Sequence, residues 1–210
     1  MGKTYKIAIV GCGGIAHSHM DGYNRLDNVE VIAAVDPSDA ARRTYQGEYD
    51  IPKTYASIED MLERESPDIV SVCTWHLLHP SLTIAAAKAG VPGVICEKPM
   101  AIGMAEADSM VDACDASGTK LVIGHQRRFT PGWERARAMI ADGAIGTPIF
   151  ARNRVAEGLA NWGTHSIDGT RFALGDPMPV WLMGGVERKT DRHERDVAIE
   201  DACIGLLQFD

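Results

Sequence analysis

Clustered basic residues are missing from this 210-residue chain, whose formal net charge is −8. Nucleic-acid backbones are held by grouped Lys and Arg, so a nucleic-acid surface is excluded. Long apolar runs are missing as well, and none reaches the ~18 residues of a membrane span. Cysteine is sparse and unpatterned. The five thiols, at positions 12, 73, 96, 114 and 203, are odd in number and show no C-x-x-C spacing. That argues against a disulfide framework or a zinc site and fits a reducing compartment. The start, "MGKTYKIAIVGCGG", runs from a short apolar segment into glycines and not into a small-residue cleavage site. It also lacks the Ser or Thr of a myristoylation signal. What remains, 45% hydrophobic and 24% charged, is an ordinary soluble composition, and a cytoplasmic protein is expected.

What is present is an alternation of apolar periods along the first 125 residues. Strand-like "YKIAIV", "VEVIAAVD", "DIVSVCT", "GVIC" and "TKLVIGH" are interleaved with helical "GIAHSHMDGYNRL", "PSDAARRTYQGEY", "SIEDMLERE", "HPSLTIAAAKAG" and "GMAEADSMVDACDASG". The expected class is α/β: a parallel sheet covered on both faces by right-handed crossovers. Pro37 is expected at the first helical position, and Ser57 as the cap of "SIEDMLE". After residue 125 the rhythm changes. A helix, "GWERARAMIADG", is followed by a strand-like "TPIFARNRVAEG" and a helical "THSIDGTRFALGD". Two more strand-like runs, "PVWLMGGVERK" and "IEDACIGLLQFD", close the chain. The sequence therefore predicts residues 1–125 as a dinucleotide-binding Rossmann domain and 126–210 as part of an α+β open-sheet domain. The mixed-charge run "ERKTDRHERDVAIED" reads as a solvated connection.

The dinucleotide reading rests on "VGCGGIA". Gly11 permits a tight turn, Gly13 lets a pyrophosphate approach the backbone, and Ala16 allows close helix–sheet packing, with Gly14 and Ile15 opening the helix between them. Phosphates would sit on the helix N-terminus. Asp36 ends the second strand, where a carboxylate accepts both ribose hydroxyls and repels a 2′-phosphate. NAD is the expected cofactor. Arg42 and Arg43 keep NADP open, and Asp36 could instead cap the next helix.

"GVICEKPMAI" poses a separate question, because a lysine straight after a buried strand needs either solvent or a task for its charge. Taken with "GCGGIA" and Asp36, "CTWHLLHPSLTIAAAKAG", "CEKPMA" and "GTHSIDGTRFALGD", it makes the sequence resemble the Gfo/Idh/MocA oxidoreductases over roughly residues 5–175. The resemblance implies hydride exchange at a secondary alcohol of a sugar, cyclitol or related polyol. It implies that Lys98 lies beside the nicotinamide and hydrogen-bonds the reacting hydroxyl, with the Lys-Pro bond that follows it often cis and Glu97 in the ribose-side network. Thr74 and His79 match cofactor-side positions, although Trp75 and His76 replace the usual Pro and Asn, and His79 also suits a plain helix start. His165 matches the acid/base histidine. Asn161 stands where the family has an aspartate, so it can orient a hydroxyl but cannot stabilise an imidazolium by charge. Arg127 and Arg128 match a basic pair at the domain junction, with Arg128 a candidate for substrate contact or for ion pairing. No metal is implied. Two rivals stay open: a glycoside-cleaving enzyme on the same fold without net redox, and a non-catalytic NAD-binding regulator. The family's second domain is longer than ~85 residues, so a truncated member is expected, binding dinucleotide but with little turnover and self-associating through its open sheet.

Overall fold

The computed structural model describes residues 2–156 and 158–210. The chain divides into two compact units, Met1–Gly124 and His125–Asp210.

The first unit alternates strand and helix throughout. Its elements are β1 (Tyr5–Val10), α1 (Gly14–Tyr23), β2 (Val29–Val35), α2 (Asp39–Tyr49), β3 (Lys53–Tyr55), α3 (Ile58–Arg64), β4 (Ile69–Val72), α4 (His79–Lys88), β5 (Gly93–Cys96), α5 (Met104–Ser117) and β6 (Lys120–Ile123). All strand pairs are parallel, in the order β3-β2-β1-β4-β5-β6. The chain builds outward from β1 to β3, then returns to lay β4 against the other side of β1. The crevice beyond the carboxyl ends of β1 and β4 is the place where an open α/β sheet binds its ligand.

Period-two alternation sorts the strand side chains between two cores. Ala8, Val10, Val70, Val72, Val94 and Cys96 meet Met61, Ala86 and Met110 on one face. Ile7, Ile9 and Ala34 meet Ala16, Met20 and Tyr45 on the other. Ser57 caps α3 as its sequence predicts, its hydroxyl accepting the Asp60 N–H at 3.2 Å. The start of α2 differs from expectation. Ser38, not Asp36, is the cap and accepts the Ala41 N–H, so Pro37 stands outside the helix. Asp36 is thereby left for another use.

The second unit begins with a 3₁₀ turn, Gln126–Phe129, and α6 (Pro131–Ala141). A π-helical turn, Leu159–Gly163, then runs directly into α7 (Thr164–Ala173). The Trp133 ring lies so close to α7 that a Cβ on Gly169 would come within 2.8 Å of it. β7 (Pro179–Glu187) and β10 (Ala202–Phe209) form an antiparallel pair. Two expectations are corrected here. "TPIFARNRVAEG" forms no strand among its described residues: Ile149 is 98% exposed, and no neighbouring strand takes up its backbone groups. The charged run is not merely a solvated connection. It folds into a small hairpin of β8 (His193–Glu194) and β9 (Val197–Ala198), turned by Arg195 and Asp196 at positive φ as a two-residue hairpin turn requires.

The cores define a stability contrast between two methionines. Met61 is fully buried, whereas Met104 is 75% exposed. Met61→Ala is expected to lower unfolding free energy by about 2–5 kcal/mol, and Met104→Ala by less than about 0.5 kcal/mol. Urea denaturation monitored by circular dichroism measures both, and equal losses would contradict the assigned core.

Candidate active site

In the first unit the site is built on the crevice between β1 and β4. Gly11 has φ +95°, and a Cβ there would stand 2.8 Å from the Cys73 carbonyl oxygen at the exit of β4. Only glycine meets both conditions. Gly13 precedes α1 with no side-chain cap, and a Cβ on Gly13 or Gly14 would meet nothing within 4 Å. The first-turn N–H groups of α1 are therefore accessible to an anion, with Ile15 half-exposed beside them. Ala16 is fully buried against the sheet.

Asp36 joins this loop to β2. One carboxylate oxygen accepts the Cys12 N–H at 3.0 Å, and the other accepts the Ser38 N–H at 2.8 Å. An ionised carboxylate offers about four acceptor positions, so capacity for ribose hydroxyls remains. Arg42 and Arg43 are engaged elsewhere. Arg42 donates to the Asp36 and Pro37 carbonyl oxygens and to Asp39, and Arg43 pairs with Asp39.

Beyond β4, Thr74 is half-buried, and its hydroxyl donates to the Trp75 carbonyl at 3.3 Å. His79, 1% exposed, lies with Nδ1 2.8 Å from the Pro99 carbonyl oxygen and Nε2 3.1 Å from that of Thr74. It thus ties the exit of β4 to the turn after β5. That turn carries Glu97, Lys98 and Pro99, and the Lys98–Pro99 bond is cis. Lys98 is half-buried there.

Glu97 is buried. Its carboxylate accepts the Lys98 N–H at 3.2 Å and lies 3.0 Å from His19 Nε2 on α1. Burial opposes its ionisation, but His19 and the Lys98 N–H outweigh burial and hold the carboxyl below its ordinary range. His19 is a partner that sequence reasoning missed, because it meets Glu97 only through the crossover of α1. The thiols nearby are unsuited to nucleophilic work: burial pushes Cys12 and Cys96 up to about 12, and Cys73 well above its ordinary value.

In the second unit Asn161 and His165 are both buried. The His165 ring lies 5.8 Å from that of His125 and 6.4 Å, edge-on, from that of Trp162, over which Arg127 sits at 5.9 Å. The Asn161 side-chain amide donates to Glu194 of β8, and the Leu159 N–H donates to Glu200. The hairpin thus supplies two carboxylates to the π turn, and neither was singled out in the sequence. Arg128 grips Asp168 through Nε and Nη2 at 2.6–2.9 Å and pairs with Asp176 at 2.8 Å, with Arg137 closing the group. Its hydrogen bond to Asp168 raises its pKa. Burial disfavours the charge of Asp176, but Arg137 and Arg128 together still lower its pKa.

A glycine turn, a helix start open to anions and a carboxylate at the end of β2, all at the switch point of a parallel sheet, define a dinucleotide-binding Rossmann fold. The model of the Gfo/Idh/MocA oxidoreductase family, described as an NAD-binding Rossmann fold, matches residues 5–125. The chain belongs to that family. It is 32% identical over 225 residues to the D-apiose dehydrogenase of Paraburkholderia graminis, with 98% of this chain and 57% of that protein covered. To the myo-inositol 2-dehydrogenase of Thermotoga maritima it is 26% identical, covering 97% and 65%. The crystal structure of an Agrobacterium radiobacter oxidoreductase in complex with NAD+, L-tartaric acid and magnesium superposes with a TM-score of 0.81 at 25% identity, covering 98% and 63%. The chain thus spans 57–65% of the length of these relatives.

The state of Glu97 sets an acid limit. Ionised Glu97 stabilises the fold above the ordinary glutamate value of about 4.3, and that stabilisation is lost as pH falls through its depressed folded value. Glu97→Gln is expected to be less stable near neutrality and to lose stability less steeply below about pH 5. Urea midpoints across that range measure it, and parallel curves for the two proteins would show that Glu97 carries no such role.

Proposed function

We propose that this chain comprises the NAD-binding domain, residues 1–125, and part of the substrate domain, residues 126–210, of an oxidoreductase that exchanges hydride with a secondary alcohol of a sugar, cyclitol or related polyol. The observation that carries it is Asp36, whose carboxylate closes the glycine loop at the switch point and retains acceptor capacity. The dehydrogenases of D-apiose and myo-inositol among the relatives support the substrate class.

In this reading Gly11, Gly13, Gly14, Ile15 and Ala16 shape the pyrophosphate cradle, and Asp36 takes the adenosine ribose. Thr74, His79 and Glu97 form and hold the nicotinamide side. Bound NAD supplies the hydride acceptor. Lys98 donates a hydrogen bond to the substrate oxygen and stabilises the negative charge that grows there. His165 takes the hydroxyl proton as the carbinol hydrogen leaves with its electron pair, so the alcohol becomes a carbonyl. Asn161 orients the substrate. Arg128, with both carboxylate partners in place, positions α7 and leaves direct substrate contact to Asn161 and His165. Four of the five free thiols, Cys12, Cys73, Cys96 and Cys114, are buried, which fits the reducing setting of a cytoplasmic protein. Among the described residues no helix is long and apolar enough to cross a membrane.

Calorimetry and turnover together test the assignment. NAD is expected to bind at least about tenfold more tightly than NADP, and Asp36→Ser to narrow that gap, because a 2′-phosphate would meet like charge. In an active full-length version, Lys98→Met is expected to lower kcat by about 10²–10⁴ while NAD affinity stays within a few-fold. Full turnover by Lys98→Met, or equal affinity for the two cofactors, would overturn the corresponding role.

Self-association belongs to the same proposal. Val180, Leu182 and Val186, which share one face of β7, are 63–72% exposed, an apolar surface that water disfavours. Light scattering of the chain is expected to show a species larger than the monomer. A monodisperse monomer would remove this part.

A further inference from the structure

The π turn that leads into His165 receives a carboxylate from a distant segment. Asn161, 8% exposed on the π turn, donates its side-chain N–H to Glu194 on β8, thirty-three residues further on. A carboxylate accepts and cannot donate, so it selects one of the two faces of a planar amide. Nδ2 must face Glu194, and Oδ1 is turned away from it.

We propose that Glu194 is a positioning residue: it fixes the Asn161 amide so that its carbonyl oxygen is presented to a substrate hydroxyl on the turn that leads into His165. The inference rests on the oxidoreductase reading for its consequence, though not for its geometry.

Three further observations support it. The hairpin is held against the π turn at a second point, where the Leu159 N–H donates to Glu200. Ile199 beside it is buried, and Glu194 approaches Gly158 so closely that a Cβ there would lie 3.1 Å from its second carboxylate oxygen. Asp168 of α7 and Asp176 just beyond it are paired with Arg128 and Arg137, not with Asn161. A charged partner also makes the amide hydrogen bond stronger than a neutral one would be.

The test is an exchange of charge. Asn161→Asp alone sets two carboxylates against each other and is expected to lower the melting temperature of the chain by about 3 °C or more. Adding Glu194→Gln to it is expected to recover most of that loss, because an amide again faces a carboxylate with the roles reversed. Should Asn161→Asp fail to fold alone, recovery in the double variant reads the same coupling. In nuclear magnetic resonance spectra of the unmodified chain, one Asn161 side-chain N–H should be shifted downfield and protected from exchange, and Glu194→Met should abolish both features. In turnover, Glu194→Met is expected to reduce kcat about tenfold with NAD affinity unchanged, and Glu194→Gln, which keeps an acceptor, to regain most of it. Additive melting effects together with an ordinary Asn161 amide signal would overturn the proposal. Non-additive melting without kinetic rescue would confine Glu194 to stability and overturn the positioning role. If a full-length protein containing this chain turns over no polyol, the oxidoreductase reading fails, and the melting cycle and amide signal still decide the Asn161 orientation.

Discussion

The contact on which the dinucleotide half depends is the one between the Asp36 carboxylate and the Cys12 N–H. It fastens the glycine loop after β1 to the end of β2, so the loop cannot relax away from the crevice that the strand order opens. The same carboxylate takes the Ser38 N–H, which lets Ser38 cap α2 and frees Asp36 from that duty. A single side chain thus sets the shape of the anion cradle, the start of the next helix and the chemistry at the edge of the sheet. The two arginines that follow are drawn into α2 and its entry, so the carboxylate keeps its negative character toward the crevice.

The turn after β5 follows the same logic with different residues. There, the catalytic candidate Lys98 is flanked by Glu97, held by His19 from α1, and by Pro99, whose carbonyl meets His79 from α4. Two helices on different crossovers therefore restrain one short turn. Groups that must act at a reacting bond within a few tenths of an ångström benefit from such indirect support more than from added contacts of their own. His79, read from sequence as a cofactor neighbour or a plain helix start, acts structurally as a tie between two loops.

Much of this architecture is legible in the sequence because its signals are local. The alternation of "YKIAIV" and "VEVIAAVD" with amphipathic helices, and the glycine spacing after the first strand, are set by residues a few positions apart, and the parallel sheet follows from them. The illegible parts depend on partners far along the chain. Nothing near His19 announces Glu97. Nothing in "RHERDVAIE" marks a hairpin except Val197 and Ile199 among charges, since Arg195 and Asp196 turn it without glycine. "TPIFARNRVAEG" errs the other way: its apolar residues have strand character, but a strand exists only where a neighbour pairs with it. Asn161 combines both cases. Its residue type is plain from sequence, while the carboxylate that gives it meaning is visible only in three dimensions.

The π turn that carries Asn161 wraps one residue more per turn than the helix it enters. Gly163 permits this, since a side chain there would collide with Leu159. That extra residue is a matter of phase. Deleting it would return the segment to the α-helical period and rotate everything before α7 by about 100°, swinging Asn161 off the hairpin while His165 stayed in place. The segment should therefore accept changes of side chain more readily than changes of length. Insertions and deletions between Gly158 and His165 would separate the amide from the imidazole in one step.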